Sequence, residues 1–442
     1  MKSVESQSIS HFQNGVSSSI SLSEKGSFKA WMVLGCAWLF YLYEYILRVS
    51  PSVMTNNLMT DFSVTSTALG VLVSFYYISY VILQIPCGII VDSLGPRKVI
   101  TFSAILCVIG SVAFACSDSL LTAQMGRFLM GAGSACAYLS CAKVGAEWFD
   151  PSKFAVIAGM TMMMGTFGGM FGSSPFALLV NGFGWRTAML VAAFVGVGVA
   201  LASWLIIRDY PKDIEQEESN PSQAPLLQGI KMVASNPQNW LIGIYGCMMY
   251  LPLSAFAELW GVPFLMERYG IDNELASRGS IMVFLGMALG SPLGAWLSNY
   301  CQSRKKIMSW AALGTLISFA VVIYVPNIPL NLMFGILFLG GLISGGQILY
   351  FAAAKEVSPP HNSGTTIGFT NCLVMTSGPI FQPLLGWLLD LAWDGKVTAA
   401  GIPIYSLITY QYAFSAVIAS LLFSWIIVQF VRETYGTSFV AK

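Results

Sequence analysis

Twelve long apolar stretches, separated by short polar segments, constrain this chain of 442 residues more than any other feature. A helix needs about 20 apolar residues to cross a bilayer, and each stretch meets that requirement. Only 10% of the residues are charged, whereas soluble domains carry about 25%. We therefore predict an all-α membrane protein with twelve transmembrane helices, spans 1 to 12, at residues 30–54, 66–92, 97–116, 120–146, 153–179, 185–207, 239–266, 277–299, 305–325, 329–355, 363–390 and 402–431.

The polar segment 208–238 separates six of these spans from the other six. Its charges, prolines and serines are typical of a solvated linker. We expect a six-helix bundle at 28–207, a cytoplasmic linker at 208–238 and a second six-helix bundle at 239–432. The segments 1–27 and 433–442 are predicted to be cytoplasmic tails. The first of them is expected to be disordered, because it is rich in Ser and Gln and lacks the apolar core of a signal peptide.

The distribution of cations predicts the orientation of the bundle, because Lys and Arg accumulate in cytoplasmic loops. If the N-terminus lies inside, about 16 of the 22 Lys and Arg residues fall in cytoplasmic tails, loops or helix ends. The opposite side then holds about four, namely Arg186, Arg268, Arg278 and Lys396. Both termini are therefore predicted to be cytoplasmic, and a lipid bilayer is the expected partner.

Composition argues against several other classes of protein. A net charge of +1 does not favour a nucleic-acid partner. The nine cysteines form no CxxC pair and are read as small membrane-embedded residues rather than disulfides or metal ligands. The two histidines, His11 and His361, lie outside the spans, and neither HExxH nor GxGD occurs. We expect no metal site, no cofactor and no intramembrane enzyme.

Four charged residues lie deep in the predicted spans: Glu44, Arg48, Arg127 and Glu258. Charges within a bilayer are costly and usually functional. In span 1, Tyr41, Glu44, Tyr45 and Arg48 follow a spacing of i, i+3, i+4 and i+7, which places them on one helical face. Lipid would reject such a face, so we expect it to look into an aqueous vestibule between two halves or against another helix.

Glu44 and Arg48 are also spaced for an i,i+4 ion pair. One interpretation is a structural salt bridge that neutralises itself. The other is a polar pocket in which Arg48 attracts a substrate carboxylate and Glu44 binds a proton or an ammonium group. The sequence leaves both open, as it leaves a purely structural role open for Arg127.

Neutral polar residues form similar stripes on other spans. They are either hydrogen-bond partners between helices or substrate ligands. With the span 1 face and Glu258, the candidate substrate-binding residues are Tyr76, Tyr80, Tyr138, Tyr250, Gln347, Tyr350 and Asn371. Candidate proton-coupling residues are Glu44, Arg127 and Glu258.

The loop Gly88-Ile-Ile-Val-Asp92-Ser-Leu-Gly95-Pro-Arg97-Lys98 resembles the signature loop of the major facilitator superfamily, G-x-x-x-D-x-x-G-x-[RK]-[RK]. Roughly 206 residues later, Gly294 to Lys306 form a second copy in which Ser298 replaces the acid. The stretch from Arg127 through Gly131 and Gly133 resembles the fourth-helix motif of the superfamily, often found in proton-coupled members.

Three further segments resemble the phagosomal transporter branch of intracellular bacterial pathogens. They run from Tyr43 to Met54, from Ala257 to Leu265 and from Gln382 to Asp390. The resemblance implies two pseudo-symmetric six-helix bundles in a bacterial inner membrane, working as a monomer by alternating access. It also implies proton-coupled uptake of a small polar metabolite such as an amino acid or short peptide, with the proton gradient as energy source.

The resemblance further implies gating by the loop residues Gly88, Asp92, Arg97 and Lys98. We expect Asp92 to cap or salt-bridge a neighbouring helix and to hold the outward-open state. An exporter of drugs, metabolites or siderophores is the alternative, although span 5 lacks the Gly-Pro dipeptide expected of drug antiporters. A channel or a transport-inactive sensor is a third possibility.

Overall fold

The computed structural model describes residues 26–150, 153–210, 226–359, 363–398 and 401–435. All twelve predicted spans are helical in it, which confirms the predicted fold class. Their observed bounds are Phe28–Val53, Ser66–Leu94, Pro96–Ala115, Leu120–Ser134 with Ala137–Trp148, Phe154–Phe171 with Ser174–Phe183, Trp185–Ile206, Pro237–Tyr269, Asn273–Tyr300, Arg304–Tyr324, Leu330–Glu356, Ser363–Met375 with Ser377–Leu391, and Leu407–Val428.

Eleven of these helices in the described ranges are long and apolar enough to cross a membrane. Span 4 is divided by a break at Ala135 and Cys136 into helices of 15 and 12 residues. Span 12 begins five residues later than predicted, at Leu407, because the Ser406 side chain caps its first turn. Within the predicted linker lies a short helix, Leu226–Ala234. Residues 1–25, 211–225 and 436–442 of the predicted tails and linker lie outside the described residues.

Span 7 changes its helical pitch in the middle. Its residues Pro252–Trp260 form a π-helix between two α-helical segments. Proline lacks an N–H and its ring collides with the carbonyl four residues earlier, so Pro252 disturbs the α-helical ladder where the wider turn begins. Long π segments are rare and occur frequently at functional sites. Glu258 lies on this segment.

Contacts between span ends define two sides of the bundle. On the side that we call the terminal side, the Gly26 N–H donates to the Trp148 carbonyl (3.0 Å) at the end of span 4. On the same side, the Asn236 side chain at the start of span 7 donates to the Val357 carbonyl (3.0 Å) after span 10. The opposite, distal side holds the end of span 1, where the Val53 carbonyl accepts from Asn273 (2.6 Å) at the start of span 8.

The two halves, spans 1–6 and spans 7–12, meet closely at the distal side. Span 2 has no side-chain cap of its own at its first turn. Instead Asp390, at the end of span 11, accepts from the Ser66 N–H (3.2 Å), the Thr67 N–H (2.8 Å) and the Thr67 hydroxyl (2.5 Å). Tyr405 also donates to Asp390. The Asp390 carboxylate therefore joins the two halves.

Candidate functional site

The predicted ion pair of span 1 is confirmed. Arg48 Nη2 lies 3.1 Å from Glu44 Oε2, one helical turn away. Both residues are buried, because the α-helix Phe28–Val49 turns this face towards the other half and not towards lipid. An ion pair in such a setting needs further hydrogen bonds to offset its desolvation.

Tyrosines from two spans supply those hydrogen bonds. The Tyr76 hydroxyl on span 2 donates to Glu44 Oε2 (2.6 Å) and accepts from Arg48 Nε (3.5 Å). The Tyr250 hydroxyl on span 7 accepts from Arg48 Nη1 (3.4 Å). The guanidinium also lies over the rings of Tyr45 (4.1 Å) and Tyr80 (5.2 Å), which is a favourable cation–π geometry. Arg48 of the first half is thereby bonded directly to the second half.

The second carboxylate, Glu258, has different partners. The Tyr77 hydroxyl on span 2 donates to Glu258 Oε2, and the Tyr250 hydroxyl lies 3.4 Å from Glu258 Oε1. Within the part of the chain that the structure describes, no cation pairs with Glu258. The sequence analysis missed Tyr77, although its position beside Tyr76 in mid-span was a usable signal.

Arg127 lies beside this cluster, below the Tyr76 ring at 4.8 Å from its centre. Its Nη1 donates to the Leu47 carbonyl (2.8 Å) on span 1. Its Nε and Nη2 have no partner among the described residues, although the side chain is fully buried. Unsatisfied buried donors are rare and costly, so these two nitrogens are available for another acceptor.

Of the two surroundings expected for the Glu44 face, the structure shows the second: in this conformation the face packs against other helices and not against an aqueous vestibule. Glu44 is 0% exposed and Arg48 is 2% exposed. The reason is that tyrosines from both halves close around the pair and fill the space that a vestibule would need. We call the resulting group of Glu44, Arg48, Arg127 and Glu258, with Tyr76, Tyr77 and Tyr250, the central network.

The other predicted ligands lie outside the central network or at its edge. Tyr41 packs against Tyr45 (ring centres 5.3 Å apart) and Tyr138 (6.1 Å), so these three form one aromatic cluster. On the second half, Gln347 is buried and neither polar atom of its amide has a partner among the described residues. Among the described residues, no hydrogen bond or ion pair joins Gln347, Tyr350 or Asn371 to the central network; Tyr350 packs on Phe351 (4.4 Å).

The predicted gating loop forms its contacts within the first half. Asp92 bridges to Lys143 on span 4 (3.1 Å), as the sequence analysis expected of a salt bridge to a neighbouring helix. Arg97 stacks on Trp204 (4.3 Å), and its N–H donates to Asp209 (2.8 Å) after span 6. Lys98 is exposed, and an added Cβ at Gly88 would meet nothing within 4 Å.

In the second loop, Ser298 stands where the first loop has its acid. Acids from other parts of the second half contact Arg304 instead. Arg304 donates to the Ser298 hydroxyl (3.0 Å) and pairs with Glu356 on span 10 (3.1 Å). Glu433, after span 12, accepts from the Arg304 N–H (2.8 Å) and from Ser303 at the start of span 9. Among the described residues, no group of three or more His, Cys, Asp or Glu side chains is placed to hold a metal ion.

A bundle of twelve helical spans, eleven of which are long and apolar enough in the described ranges to cross a membrane, has the architecture of a multi-pass membrane transporter when its two halves share buried charges at their seam. The sequence profile of the Major Facilitator Superfamily matches residues 33–383 and 259–440. The chain belongs to the Major Facilitator Superfamily, as its signature loop indicated. The phagosomal branch stays a prediction.

Similar proteins support the same assignment. The membrane sensor protein UhpC of Salmonella typhimurium is 24% identical over 86% of this chain and 91% of its own length. The hexuronate transporter of Bacillus subtilis is 22% identical over 78% of this chain and 85% of its own length. A solved bacterial homologue of the human lysosomal transporter Spinster shares the fold, with a TM-score of 0.70 and 16% identity over 92% of this chain and 96% of that structure. The first of these proteins is named as a membrane sensor and the other two as a transporter and a transporter homologue.

Proposed function

We propose that this protein takes up a small polar metabolite that carries a carboxylate, together with a proton, by alternating access. The observation that carries the proposal is the bond between Arg48 on span 1 and Tyr250 on span 7. It lies amid four buried charges at the seam between two membrane-spanning halves. Transporters of this architecture place their substrate sites at the repeat interface near the bilayer midplane.

Access to this site requires the halves to separate. In the conformation described, Arg48 is bonded to Tyr250, and Tyr77 is bonded to Glu258 across the seam. Rocking one half against the other breaks both contacts and frees hydrogen-bonding groups for a substrate. The bonds between the halves are therefore replaced by bonds to the substrate, which offsets the cost of opening.

The chemistry of the network favours a carboxylate. A guanidinium presents its N–H groups in a planar fork that matches a carboxylate, and Arg127 has two nitrogens without acceptors. An amino acid or short peptide satisfies this requirement, with Glu44 facing the ammonium group. The relative named as a hexuronate transporter supports a sugar acid as a second class. Both classes share the carboxylate.

Counterflow in proteoliposomes tests the proposal. Labelled glucuronate and labelled alanine are exchanged against internal unlabelled compound, with wild type, Arg48→Ala and Arg48→Lys compared. Loss of a charged hydrogen-bonding partner costs about 1.5–3 kcal/mol, so we expect Arg48→Ala to weaken apparent affinity by about tenfold or more. Arg48→Lys keeps the charge but loses the fork, and is expected to lie between the two. Unchanged transport by Arg48→Ala would remove Arg48 from the substrate site.

The direction of transport needs its own measurement. Right-side-out vesicles that accumulate the compound under an inward proton gradient support uptake. Accumulation only by inside-out vesicles with an acidic interior, where protons leave as the compound enters, would support the exporter alternative. The two preparations contain the same protein, so they differ only in which side faces the substrate and in the direction of the imposed proton gradient.

A sensor is the second candidate, because one relative covering 86% of this chain is named a membrane sensor protein. A sensor binds its ligand without moving it. Ligand binding to the folded form raises apparent stability. A compound that raises the unfolding temperature of the purified protein but shows no counterflow would therefore favour the sensor.

A further inference from the structure

The two buried carboxylates of the central network differ in how they are neutralised. Glu44 has a cation 3.1 Å away and a tyrosine donor. Among the described residues, the hydrogen-bond partners of Glu258 are the hydroxyl groups of Tyr77 and Tyr250. Both side chains are 0% exposed, so water does not compensate for the difference.

A buried carboxylate without a paired cation is costly when ionised, and it avoids that cost by binding a proton. For Glu44, the ion pair with Arg48 (3.1 Å) offsets part of that cost. Glu258 also lies on the π-helical segment of span 7 and bonds to Tyr77 of the other half. Glu258 is therefore an acid without a paired cation among the described residues, and it lies on the seam that must open during transport.

We propose that Glu258 is the carboxylate that carries the transported proton, and that its protonation prepares the network for an anionic substrate. This inference rests on the proposed transport function and names the acid and the substrate charge. The four charges of the network, two arginines and two glutamates, sum to zero. When Glu258 is protonated, the network holds one net positive charge, which attracts a monoanion.

The surroundings of Glu258 are consistent with this role. The charged and titratable groups that interact with it electrostatically are Glu44, Tyr45 and Arg48 of span 1, Tyr77 of span 2, Arg127 of span 4 and Tyr250 of span 7. From span 11, Ser377 and Gln382 contact the same π segment through Ser254, and both are neutral. Arg127, with two nitrogens lacking acceptors, is the cation left in excess once Glu258 is neutral.

The proton step is simple in chemical terms. With the distal side open, a proton from water forms an O–H bond with one carboxylate oxygen of Glu258. The substrate anion then binds to the positively charged network, so that the loaded site is neutral again. After the halves rock, the anion leaves to the terminal side, the Glu258 O–H bond breaks and the proton passes to water there.

Two measurements on the full-length protein test the inference. Infrared difference spectra of the reconstituted protein after a pH step report the carbonyl band of a protonated carboxylic acid. We expect that band in wild type and in Glu44→Gln, and its loss in Glu258→Gln. In proteoliposomes with glucuronate as probe, Glu258→Gln is expected to lose accumulation driven by a pH gradient, because glutamine cannot carry a proton; counterflow, which needs no net proton movement, is expected to fall less than accumulation.

Glu274→Gln is the matched control, because it changes the same residue type outside the network, where Glu274 pairs with Arg278 (3.4 Å). This variant should keep both the infrared band and pH-driven accumulation. If Glu258→Gln does not fold, Tyr77→Phe replaces it. Removing the hydroxyl that donates to Glu258 favours the protonated acid, so the pH of half-maximal band intensity should rise.

Three results would overturn the inference: a carboxylic-acid band that persists in Glu258→Gln, a band lost in Glu44→Gln instead, or pH-driven accumulation that survives in Glu258→Gln. If the pH of half-maximal band intensity does not rise in Tyr77→Phe, that result also counts against the inference. Failure of the proposed function looks different. In that case wild type shows no counterflow of any probe, while the infrared band still reports whether Glu258 binds a proton.

Discussion

The distal and terminal sides of the bundle hold their charges in different ways. On the distal side, Asp390 of the second half bonds to Ser66 and Thr67 of the first. On the terminal side, the ion pair of Asp92 with Lys143 remains within the first half. The pair of Arg304 with Glu356 likewise remains within the second half. Polar contacts therefore tie the halves together at the distal side and stiffen each half separately at the terminal side.

This difference identifies which side must change when the halves rock. Opening the distal side breaks an N-terminal cap of span 2, and loss of such a cap typically costs about 0.5–2 kcal/mol. The carboxylate is also favoured there by the positive end of the helix dipole. The terminal ion pairs survive rocking because each moves with its own half. The conformation described is thus stabilised at the distal seam.

The largest effect should come from steric disruption of the distal seam. A Cβ added at Gly386 on span 11 would lie 2.3 Å from the Ser66 carbonyl oxygen, which is backbone and cannot yield. We expect Gly386→Val to prevent distal closure, since overpacking costs about 1–3 kcal/mol or more. Transport should be nearly lost, and a cysteine introduced at Ser52, buried at the distal end of span 1, should become reactive to thiol reagents in a background without native cysteines.

Gly368→Val is the matched control on the same span. A Cβ at Gly368 would meet nothing within 4 Å, so this variant should leave the reactivity at Ser52 and the transport rate close to those of wild type. If Gly386→Val transports normally, the distal seam does not need to close and the comparison between the two sides loses its meaning.

A smaller effect is expected from the cap itself. Asp390→Ala removes the carboxylate that accepts from Ser66 and Thr67 and leaves the Tyr405 hydroxyl (3.3 Å) as an acceptor for the Ser66 N–H, whereas Asp390→Asn keeps one oxygen and loses the charge. Both should raise the thiol reactivity at Ser52, with Ala above Asn, because Asn remains a good cap and Ala does not. Labelling rates measured at several salt concentrations would separate the charge from the hydrogen bonds. Equal labelling of wild type and Asp390→Ala would contradict the assigned role.

The features that could be predicted from the sequence are those that depend on local patterns. The spans follow from apolar length, and the Glu44–Arg48 pair follows from the helical spacing of four. Tyr77 and Asp390 were missed because their partners lie far away in the chain: Thr67 and Asp390 are 323 residues apart. Contacts between halves leave no local periodicity. Whether the central network is exposed to water depends on how the two halves are placed relative to each other. No local sequence pattern encodes that placement.

The two signature loops on the terminal side, one after span 2 and one after span 8, should lose different amounts of stability when their acids are replaced. Asp92 is 58% exposed, and exposed ion pairs contribute about 0–1 kcal/mol. Asp92→Asn should therefore leave the unfolding temperature of the detergent-solubilised protein nearly unchanged. Glu356 is 22% exposed and Arg304 17%, so Glu356→Gln should lower that temperature more. A larger destabilisation by Asp92→Asn would mean that the first loop, and not the second, depends on its acid.

The two halves share one helix-capping arrangement that the comparison of the loop sequences did not reveal. Asp209 follows span 6 and accepts from the Arg97 N–H at the start of span 3. Glu433 follows span 12 and accepts from the Arg304 N–H at the start of span 9. In each half, an acid that follows the last helix thus caps the start of the third helix. The pseudo-symmetry of the bundle extends to these caps even though Ser298 has broken it in the loop.

The smallest expected effect concerns Glu433 and acid stability. Partial burial acts to raise the pKa of Glu433, but hydrogen bonds from Ser303 and from the N–H groups of Arg304, Tyr435 and Thr434 outweigh it and hold the pKa below its usual 4.5. A lowered pKa in the fold means that the cap stabilises the protein fully above pH 4.5 and that this contribution is lost as the pH falls through the lower folded pKa. Glu433→Gln should therefore be slightly less stable at neutral pH and should converge with wild type in acid. Unfolding temperatures of both proteins between about pH 7 and about pH 3.5 measure this. A difference that grows in acid would show that the carboxylate does not act as a charged cap, and the likeness between Asp209 and Glu433 would then be one of position only.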